Sequence, residues 1–509
     1  MAHFSILFAN EKTRSDFCKR KGEEFSSAAV KDLNITAIID EIRKLTPDFP
    51  SEYLLFPPYD KDTQKLRGET AEELYGSSAV FDSMKRMASK LYTLKQHCRN
   101  IIDIKNKDAR NHCFLCAVLE YCAALRYLLE ITEGAASRGL AGLHGYAAEL
   151  LRKAETGLYT RAQELMGKID EMLALSLYAD FMEQNIKTAV SEKEPLSDKI
   201  ALLAEDILGA KLNFSFSAVN NVQLSPLEEA LLALMKAQNA SVFEELELFY
   251  EENKLLDFYS LIDLRDEILF FTGYIEFIKK YEKAGFSFAL PKTVEGTICM
   301  RNVYDVSLAV KLGKPDLIVA NSAEIQKGDI FVVSGANQGG KTTFLRSFGQ
   351  CVFLAAHGLP VPAEKFEAPF CGFMATHFNR AETVGKSRLE DELERVRAIL
   401  SAAKENSVLL FNECFVGTRR GDAVILSEKV FEKIFSLGAT CGFVTHFFEL
   451  ALRDKRLLSF VAEAMDDASE QRTYRIVRRS PDGLAHAHSI AVSCGATYAQ
   501  LLAETEKPR

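Results

Sequence analysis

The chain has 509 residues, of which 48% are hydrophobic and 26% are charged, with a formal net charge of −9. These are the values of an ordinary globular protein, and they exclude a disordered or fibrous chain. The length predicts two or more domains, and the net negative charge excludes binding to polyanions through bulk charge. Any contact with nucleic acid must therefore come from a local basic patch.

The sequence carries the marks of a protein that works in the cytoplasm and not in a membrane. No apolar run approaches the length of a bilayer span. The apolar patch at residues 4–8 is too short for a signal peptide and follows no basic leader. The 11 cysteines are an odd number scattered along the chain, which indicates reduced thiols and a cytoplasmic location.

One cluster of cysteines and histidines raises the question of a metal site. Cys113 and Cys116, together with His97 or His112, could bind zinc. However, Cys113, Cys116 and Cys122 have helical spacing among apolar residues, and free cysteine is commonly buried as a small hydrophobic side chain. No second Cys-x-x-Cys pair follows at zinc-finger spacing. We therefore expect packed thiols here.

The first part of the chain, residues 1–290, is predicted to be mostly helical. Asn34 is predicted to be an N-cap, because the isoleucines that follow it share one helical face. The further predicted helices are residues 71–104, 109–132, 145–184, 227–252 and 255–284. Their apolar stripes indicate core packing and not a site.

From about residue 297, short β-rich runs alternate with helices. The predicted strands are residues 317–320, 330–334, 408–411, 440–445 and 473–478. The predicted helices between them are residues 343–357, 389–403 and 422–436. This alternation predicts a layered α/β domain over residues 291–509.

The segment between the strand at 330–334 and the following helix has the pattern Gly-x-x-x-x-Gly-Lys-[Ser/Thr], which is a phosphate-binding loop. Glycines allow the tight path that points backbone N–H groups at phosphates, and the helix N-terminus adds partial positive charge. We expect Lys341 to reach the β/γ-phosphates and the Thr342 hydroxyl to bind Mg²⁺. The predicted ATP-binding residues here are Gly335, Ala336, Asn337, Gln338, Gly339, Gly340, Lys341, Thr342 and Thr343.

Two further strand ends supply the groups that hydrolysis needs. Asn412 and Glu413 follow the apolar run 408–411. Glu413 is placed to orient or deprotonate the attacking water, and Asn412 to hold a metal-bound water. His446 follows the next predicted strand, where it could stabilise the γ-phosphate. The predicted catalytic residues are therefore Glu413 and His446, and the predicted Mg²⁺ ligands are Thr342 and Asn412.

Several motifs occur together in a fixed order. In chain order they are Gly335-Ala-Asn-Gln-Gly-Gly-Lys-Thr-Thr343, Gly385-Lys-Ser387…Glu392, Asn412-Glu413…Gly417-Thr418…Asp422 and Thr445-His446-Phe-Phe-Glu-Leu450. Together they resemble the ATPase domain of the MutS mismatch-repair family, a branch of the ABC-type ATPases. The likeness runs from about residue 318 to residue 492. A weaker likeness begins at Asp32 and resembles the core/lever region of stand-alone MutS-related ATPases.

This resemblance implies an α/β P-loop ATPase domain of the ABC type, residues 291–509, preceded by a mostly helical core/lever domain, residues 1–290. It implies that Ile318 and Val319 flank the adenine and that Ser387 reaches the nucleotide of a partner subunit. The chain departs from the family at Asn412, where Asp is usual, so turnover is expected to be slower. Ala336 stands where Pro is usual, and Arg419 and Arg420 stand where small hydroxyl residues are usual.

Mismatch-recognising members of the family read the lesion through an N-terminal domain carrying Phe-x-Glu, and this chain enters its helical region almost at once. Its own Phe249-Tyr250-Glu251 lies in a predicted helix among apolar residues, which indicates core packing. We therefore expect an ATPase that acts as an ATP-gated homodimeric clamp on DNA, in mismatch repair or recombination. The alternative is an ATP-switched scaffold for a protein partner that binds no DNA.

Overall fold

The computed structural model describes residues 4–19, 24–154, 157–173, 177–180, 185–188, 226–335, 337–378, 388–463 and 473–481. The chain forms two compact units. The first comprises Met1–Ser78, Ser137–Gly139 and Leu269–Arg509, and the second comprises Ala79–Ala136 and Leu140–Ile268. The N-terminal helices thus pack in the same unit as the C-terminal sheet. The division into domains at residue 290 stays a prediction made from the sequence.

The first unit opens with short helices. They are α1 (Glu11–Lys19), α2 (Glu24–Asp32), α3 (Ile35–Leu45), α4 (Glu52–Leu55) and α5 (Lys61–Gly76). The predicted apolar face of α3 is buried. The prediction that Asn34 is the N-cap of α3 is confirmed, although its side chain makes no capping hydrogen bond. Its backbone has a φ of 55°, and its side-chain amide donates to Ser307 Oγ at 3.2 Å instead.

The second unit consists mainly of helices. They are α6 (Ser78–Asp103), α7 (Lys107–Thr132), α8 (Arg138–Ala154), α9 (Leu158–Leu173), α10 (Pro226–Gln238), α11 (Ala240–Asn253) and α12 (Tyr259–Ile262), with an antiparallel pair, β1 (Leu177–Asp180) and β2 (Asn185–Thr188). Rings of Phe114, Phe249 and Phe258 pack together between its helices. Phe249 is fully buried, as the prediction of core packing requires.

Several long predicted helices are divided in the structure. The predicted helix 71–104 divides at Ser77, 145–184 divides before Leu158 and ends at Leu173, 227–252 divides at Asn239, and 255–284 divides at Asp263. Gly157 has a φ of 89°, a left-handed conformation that starts a new helix direction. The helical spacing of apolar residues continues across these breaks, because the helices on both sides bury an apolar face. The sequence pattern alone therefore could not show the breaks.

The cysteine and histidine cluster forms two separate contacts in the second unit. Cys113 Sγ lies 3.9 Å from His97 Nδ1, and Cys116 Sγ lies 3.8 Å from His112 Nε2. Burial raises the pKa of the Cys113 thiol to about 11 and that of Cys116 to about 12, so both stay protonated. No group of three or more potential metal ligands occurs among the described residues.

The remainder of the first unit is built on two sheets. Its helices are α13 (Leu264–Lys283), α14 (Val306–Leu312), α15 (Lys341–Ala356), α16 (Arg388–Ala402) and α17 (Arg420–Leu437). Its strands are β3 (Lys292–Thr293), β4 (Thr297–Val303), β5 (Asn321–Gln326), β6 (Ile330–Ser334), β7 (Lys365–Ala368), β8 (Phe373–Phe378), β9 (Ser407–Asn412), β10 (Thr440–Val444), β11 (Leu457–Ala462) and β12 (Ile476–Arg478). This is a helical region followed by a mixed α/β unit, as the sequence predicts.

In the described part of the chain, one sheet has six strands in the order β12-β11-β6-β10-β9-β8. All neighbours pair in parallel except β12, which is antiparallel to β11. The second sheet has the order β3-β7-β4-β5. Residues 330–333 of β6 are fully buried, because a central parallel strand is covered on both faces.

Two strand predictions need correction. The predicted strand 317–320 is wrong: Pro315–Leu317 form a 3₁₀ turn and the strand β5 begins only at Asn321. Pro315 favours the turn because its ring fixes φ. The predicted strand 473–478 is shortened to β12, since Tyr474 has a φ of 54° that an extended chain cannot contain. Within the described ranges no helix combines the length and apolar character needed to cross a bilayer.

Candidate nucleotide site at the carboxyl edge of the sheet

The predicted phosphate, metal and catalytic motifs meet at one edge of the six-stranded sheet. Val333 of β6 is paired with Val444 of β10, which is paired with Asn412 of β9. Because the three strands are parallel and adjacent, their carboxyl ends bring the following loops together. The Glu413 N–H donates to the Val444 carbonyl at 2.9 Å and so fixes the start of the loop after β9.

The loop after β6 has the backbone that phosphate binding requires. Gly335 has a φ of 120°, and a Cβ at this position would lie 3.0 Å from both N and Cβ of Ala462. Gly340 has a φ of 89° and stands at the N-cap of α15. Only glycine can adopt this φ at position 335 and also avoid a close contact with Ala462. Because glycine has no Cβ, a ligand can approach the loop backbone closely. Gln338 adds a third positive φ of 60°, which turns the loop tip.

The remaining residues of the loop surround this path. Asn337 and Gln338 are exposed at the loop tip, Gly339 is buried, and Thr343 is partly buried in the first turn of α15. Ala336 lies outside the described residues.

Lys341 is buried at the start of α15, with 4% of its surface exposed. Its Nζ donates to the Gly335 carbonyl at 2.8 Å, so the side chain lies across the loop. Burial lowers the pKa of this ammonium, and the nearby Glu413 carboxylate opposes the shift. A buried ammonium beside backbone N–H groups provides a strong electrostatic site for phosphate oxygens.

Thr342 and Asn412 form a direct pair. The Thr342 hydroxyl donates to Asn412 Oδ1 at 2.9 Å, and Asn412 is 8% exposed. Hydroxyl and amide oxygens are hard oxygen donors of the kind that Mg²⁺ prefers. The donor set therefore fits Mg²⁺, although Asn412 contributes no negative charge to it.

Glu413 and His446 form a second pair at this edge. His446 Nε2 lies 2.9 Å from Glu413 Oε1, and both side chains are about one-third exposed. The hydrogen bond from His446 holds the pKa of Glu413 below its usual value, burial acts against this shift, and the charges of His446 and Lys341 add to it. Glu413 also has a φ of 56°, an uncommon conformation that clusters at functional sites.

Glu392 supports the loop after Glu413, a role that the sequence did not suggest. Its buried carboxylate, on α16, accepts a hydrogen bond from the Phe415 N–H at 3.0 Å. Phe415 is itself fully buried with a φ of 63°. Ser387, directly before α16, lies outside the described residues, so its predicted reach to a partner's nucleotide is a prediction still.

The two residues predicted to flank the adenine directly follow the 3₁₀ turn. Ile318 and Val319 are partly buried there. The Asn321 side-chain amide lies within hydrogen-bonding distance of the Val319 carbonyl, at 3.4 Å, and of the Tyr474 carbonyl, at 3.3 Å. Tyr474 was not singled out from the sequence, where the only available signal was a lone aromatic among polar residues.

Comparison with known proteins bears directly on this edge of the sheet. Residues 331–502 match the family model described as MutS domain V. DNA mismatch repair protein MutS of Thermus aquaticus is 32% identical over 170 residues, which are 33% of this chain and 21% of that protein. The MutS of Chlorobaculum tepidum is 28% identical over 218 residues, 41% of this chain and 25% of that protein. This part of the chain is therefore similar to MutS domain V.

The match to MutS domain V is local. The chain spans about a fifth to a quarter of the length of these relatives. The matched range begins within β6 and contains the phosphate loop, Asn412, Glu413 and His446. Ile318, Val319 and the helices before them lie outside it.

Arg420, one of the departures noted in the sequence, lies in the range that matches MutS domain V and forms an ion pair. The guanidinium of Arg420 binds both carboxylate oxygens of Glu449, at 2.6 and 2.8 Å. The pair ties the start of α17 to the 3₁₀ turn Phe448–Leu452, which follows His446. Nothing comparable in the structure explains Arg419.

Proposed function

We propose that this chain binds ATP with Mg²⁺ at the carboxyl edge of the six-stranded sheet and hydrolyses ATP to ADP and phosphate. The observation that carries the proposal is the convergence of three side-chain groups there. These are the buried Lys341 ammonium, the Thr342–Asn412 oxygen pair and the Glu413–His446 pair. The match of residues 331–502 to MutS domain V supports the same function.

In this proposal each group has one task. Lys341 and the N–H groups of the loop bind the β/γ-phosphates, and Thr342 and Asn412 hold Mg²⁺, which neutralises charge on phosphate oxygens. Glu413, kept ionised by His446, accepts a proton from the attacking water. When ATP is bound, His446 can exchange its hydrogen bond with Glu413 for a hydrogen bond to the γ-phosphate. The neutral Asn412 weakens the hold on Mg²⁺ and slows turnover.

We further propose that ATP closes a homodimer that acts as a clamp on DNA. Ser387 would reach the partner's nucleotide, and the helical residues would transmit closure. The relatives are DNA mismatch repair proteins by name, which supports DNA as the partner. The net charge of −9 favours the second candidate, an ATP-switched scaffold for a protein.

Phosphate release with ATP and Mg²⁺ tests the enzymatic part. The wild-type chain should release phosphate, and Lys341→Ala should remove ATP binding and release together, because the buried ammonium that binds the phosphates is then missing. Lys327→Ala, at a partly exposed lysine that pairs with Glu405, is the matched control and should behave as wild type. No release from wild type at any Mg²⁺ concentration would refute the proposal.

Two measurements separate the clamp from the scaffold. Light scattering with ATP and without Mg²⁺ should show monomers converting to dimers. Gel shifts with duplex DNA should show affinity that falls steeply as salt rises, because phosphate contacts release counterions. Dimers without DNA binding at low salt would select the scaffold.

A further inference from the structure

The loop that follows β9 contains two residues with a left-handed backbone, and neither of them is glycine. Glu413 has a φ of 56° and Phe415 has a φ of 63°. A positive φ is unfavourable for a side chain as bulky as phenylalanine, and it persists only where the surrounding structure fixes it. The direction of the Glu413 side chain therefore depends on the contacts that hold this loop.

Backbone N–H groups hold both ends of the segment 413–415. The Glu413 N–H donates to the Val444 carbonyl of β10 at 2.9 Å. The Phe415 N–H donates to Oε2 of Glu392 at 3.0 Å. The first of these bonds has a backbone acceptor in the sheet, whereas the second has a side-chain acceptor on α16. Glu392 therefore fixes the loop on the side that the sheet does not reach.

Glu392 is buried beside the loop that it supports. It is 6% exposed, and a buried carboxylate is costly unless it accepts hydrogen bonds. Burial, with the charge of Glu392 added to it, raises the pKa of the Cys414 thiol well above its usual value, so the carboxylate lies close to this thiol. Phe415 belongs to the same buried cluster as Val396, one turn further along α16. The helix and the loop thus share one core.

The groups proposed to bind the nucleotide are held by other contacts. Lys341 lies at the start of α15 and donates to the Gly335 carbonyl. Thr342 donates to Asn412, which lies in β9 and is paired with β10. Loss of the bond to Glu392 should therefore displace Glu413 and leave the phosphate-binding and metal-binding groups in place.

We propose that Glu392 is a positioning residue for the hydrolysis: its hydrogen bond to the Phe415 N–H directs the Glu413 carboxylate toward the attacking water. This inference rests on the proposed ATPase function and adds to it a residue that controls the rate of hydrolysis without contacting the nucleotide. A displacement of about 1 Å in a reacting group can slow a reaction about a hundredfold. Glu392 therefore affects phosphate release and not ATP affinity.

ATP binding and single-turnover phosphate release by wild type, Glu392→Ala and Glu392→Gln test the proposal. Glu392→Ala should bind ATP within about twofold of wild type and release phosphate about 10–100-fold more slowly. Glu392→Gln should recover most of the rate, because the glutamine side-chain oxygen can accept the same hydrogen bond. Glu394→Ala, at an exposed glutamate of the same helix, is the matched control and should behave as wild type.

A second control separates positioning from a loss of stability. Val396→Ala removes buried methyl groups from α16 and keeps the bond to Phe415, so it should unfold more easily but release phosphate at the wild-type rate. Three results would refute the positioning role and leave the ATP site standing. They are wild-type phosphate release from Glu392→Ala, equal slowing in Glu392→Gln, and equal slowing in Val396→Ala. If wild type releases no phosphate, the ATPase function and the positioning role fall together.

Discussion

The first turn of α15 and its middle turns have different surroundings. In the first turn, Lys341 and Thr342 bond a backbone carbonyl and a neutral amide, next to a carboxylate that is one-third exposed. In the middle turns, Arg346 and Gln350 enter a buried network that includes two aspartates from other parts of the chain. In the proposed site, phosphate and Mg²⁺ would replace the partners of the first turn, whereas the partners of the middle turns are buried and would stay in place.

Asp305 is the centre of the buried network. It is 2% exposed, and its carboxylate accepts from Arg346 at 3.2 Å and from Gln350 at 2.8 Å. The same carboxylate caps α14 by accepting from the N–H groups of Ser307 and Leu308. α15 and α14 are thus joined through one buried charge.

Asp32 connects the N-terminal helices to the same network. Its carbonyl accepts from Arg346 at 3.1 Å, and its carboxylate accepts at 2.7 Å from Oγ1 of Thr376, which lies within β8. Leu33 packs so closely on α15 that a Cβ on Gly349 would lie 2.5 Å from it. α15 is therefore held in place through its middle turns, whereas the hydrogen-bond partners of its first turn can be exchanged.

Removing the central charge should have the largest effect. Asp305→Ala leaves Arg346 and the α14 N–H groups without their acceptor, so the free energy of unfolding should fall by about 3–5 kcal/mol. Urea unfolding measures this against Asp316→Ala, at an exposed aspartate. Equal stability of the two variants would show that the middle of α15 is not held in this way.

A methyl group in the phosphate loop should have the next largest effect. Gly335→Ala places a Cβ against Ala462 at a φ that only glycine tolerates, so unfolding should become easier by about 1–3 kcal/mol and ATP binding should weaken. Gly421→Ala is the control, since a Cβ there meets no atom within 4 Å. Unchanged ATP affinity in Gly335→Ala would mean that the first turn is not the phosphate site.

Adding a charge at the metal side should have a smaller effect. Asn412→Asp keeps the acceptor for Thr342 and adds one negative charge, so the Mg²⁺ concentration for half-maximal phosphate release should fall about tenfold. Asn406→Asp, at an exposed position, is the matched control. If both variants need as much Mg²⁺ as wild type, the metal does not lie between Thr342 and Asn412.

The smallest effect concerns pH. The pKa of Glu413 is lowered in the folded chain, mainly by the hydrogen bond from His446. Its contribution to stability is therefore present above the unfolded carboxyl pKa of 4.5 and is lost as pH falls through the lower folded value. His446→Ala should raise the pKa of Glu413, which a carboxyl titration by NMR would detect. An unmoved titration would show that the pair does not form in solution.

The surroundings of the first turn of α15 and those of its middle turns also differ in how far the sequence predicts them. The phosphate loop, Asn412-Glu413 and His446 were identified because each follows a continuous apolar run, which is what a buried parallel strand looks like. The bond between Asp32 and Thr376 joins residues 344 positions apart, and no local pattern encodes it. Tyr474 was missed for a related reason, since its conformation depends on Asn321, which is distant in sequence.

The ends of the helices were also hard to predict from the sequence. Apolar periodicity predicted the long helices of both units but not short ones such as α1 (Glu11–Lys19) and α14 (Val306–Leu312), and it did not show the breaks at Gly157 and Asn239. A stripe that faces one core continues in phase across a short interruption. The 3₁₀ turn at Pro315 was mistaken for a strand because Leu317, Ile318 and Val319 are all apolar.

The proposed hydrolysis depends on Glu413, which lies beside the first turn of α15. Glu413→Ala, assayed for ATP binding and for single-turnover phosphate release, tests it most directly. ATP affinity should equal that of wild type, and phosphate release should slow by about 10²–10⁴-fold, because the group that accepts the proton of the attacking water is gone. Phosphate release from Glu413→Ala at the wild-type rate would contradict the account.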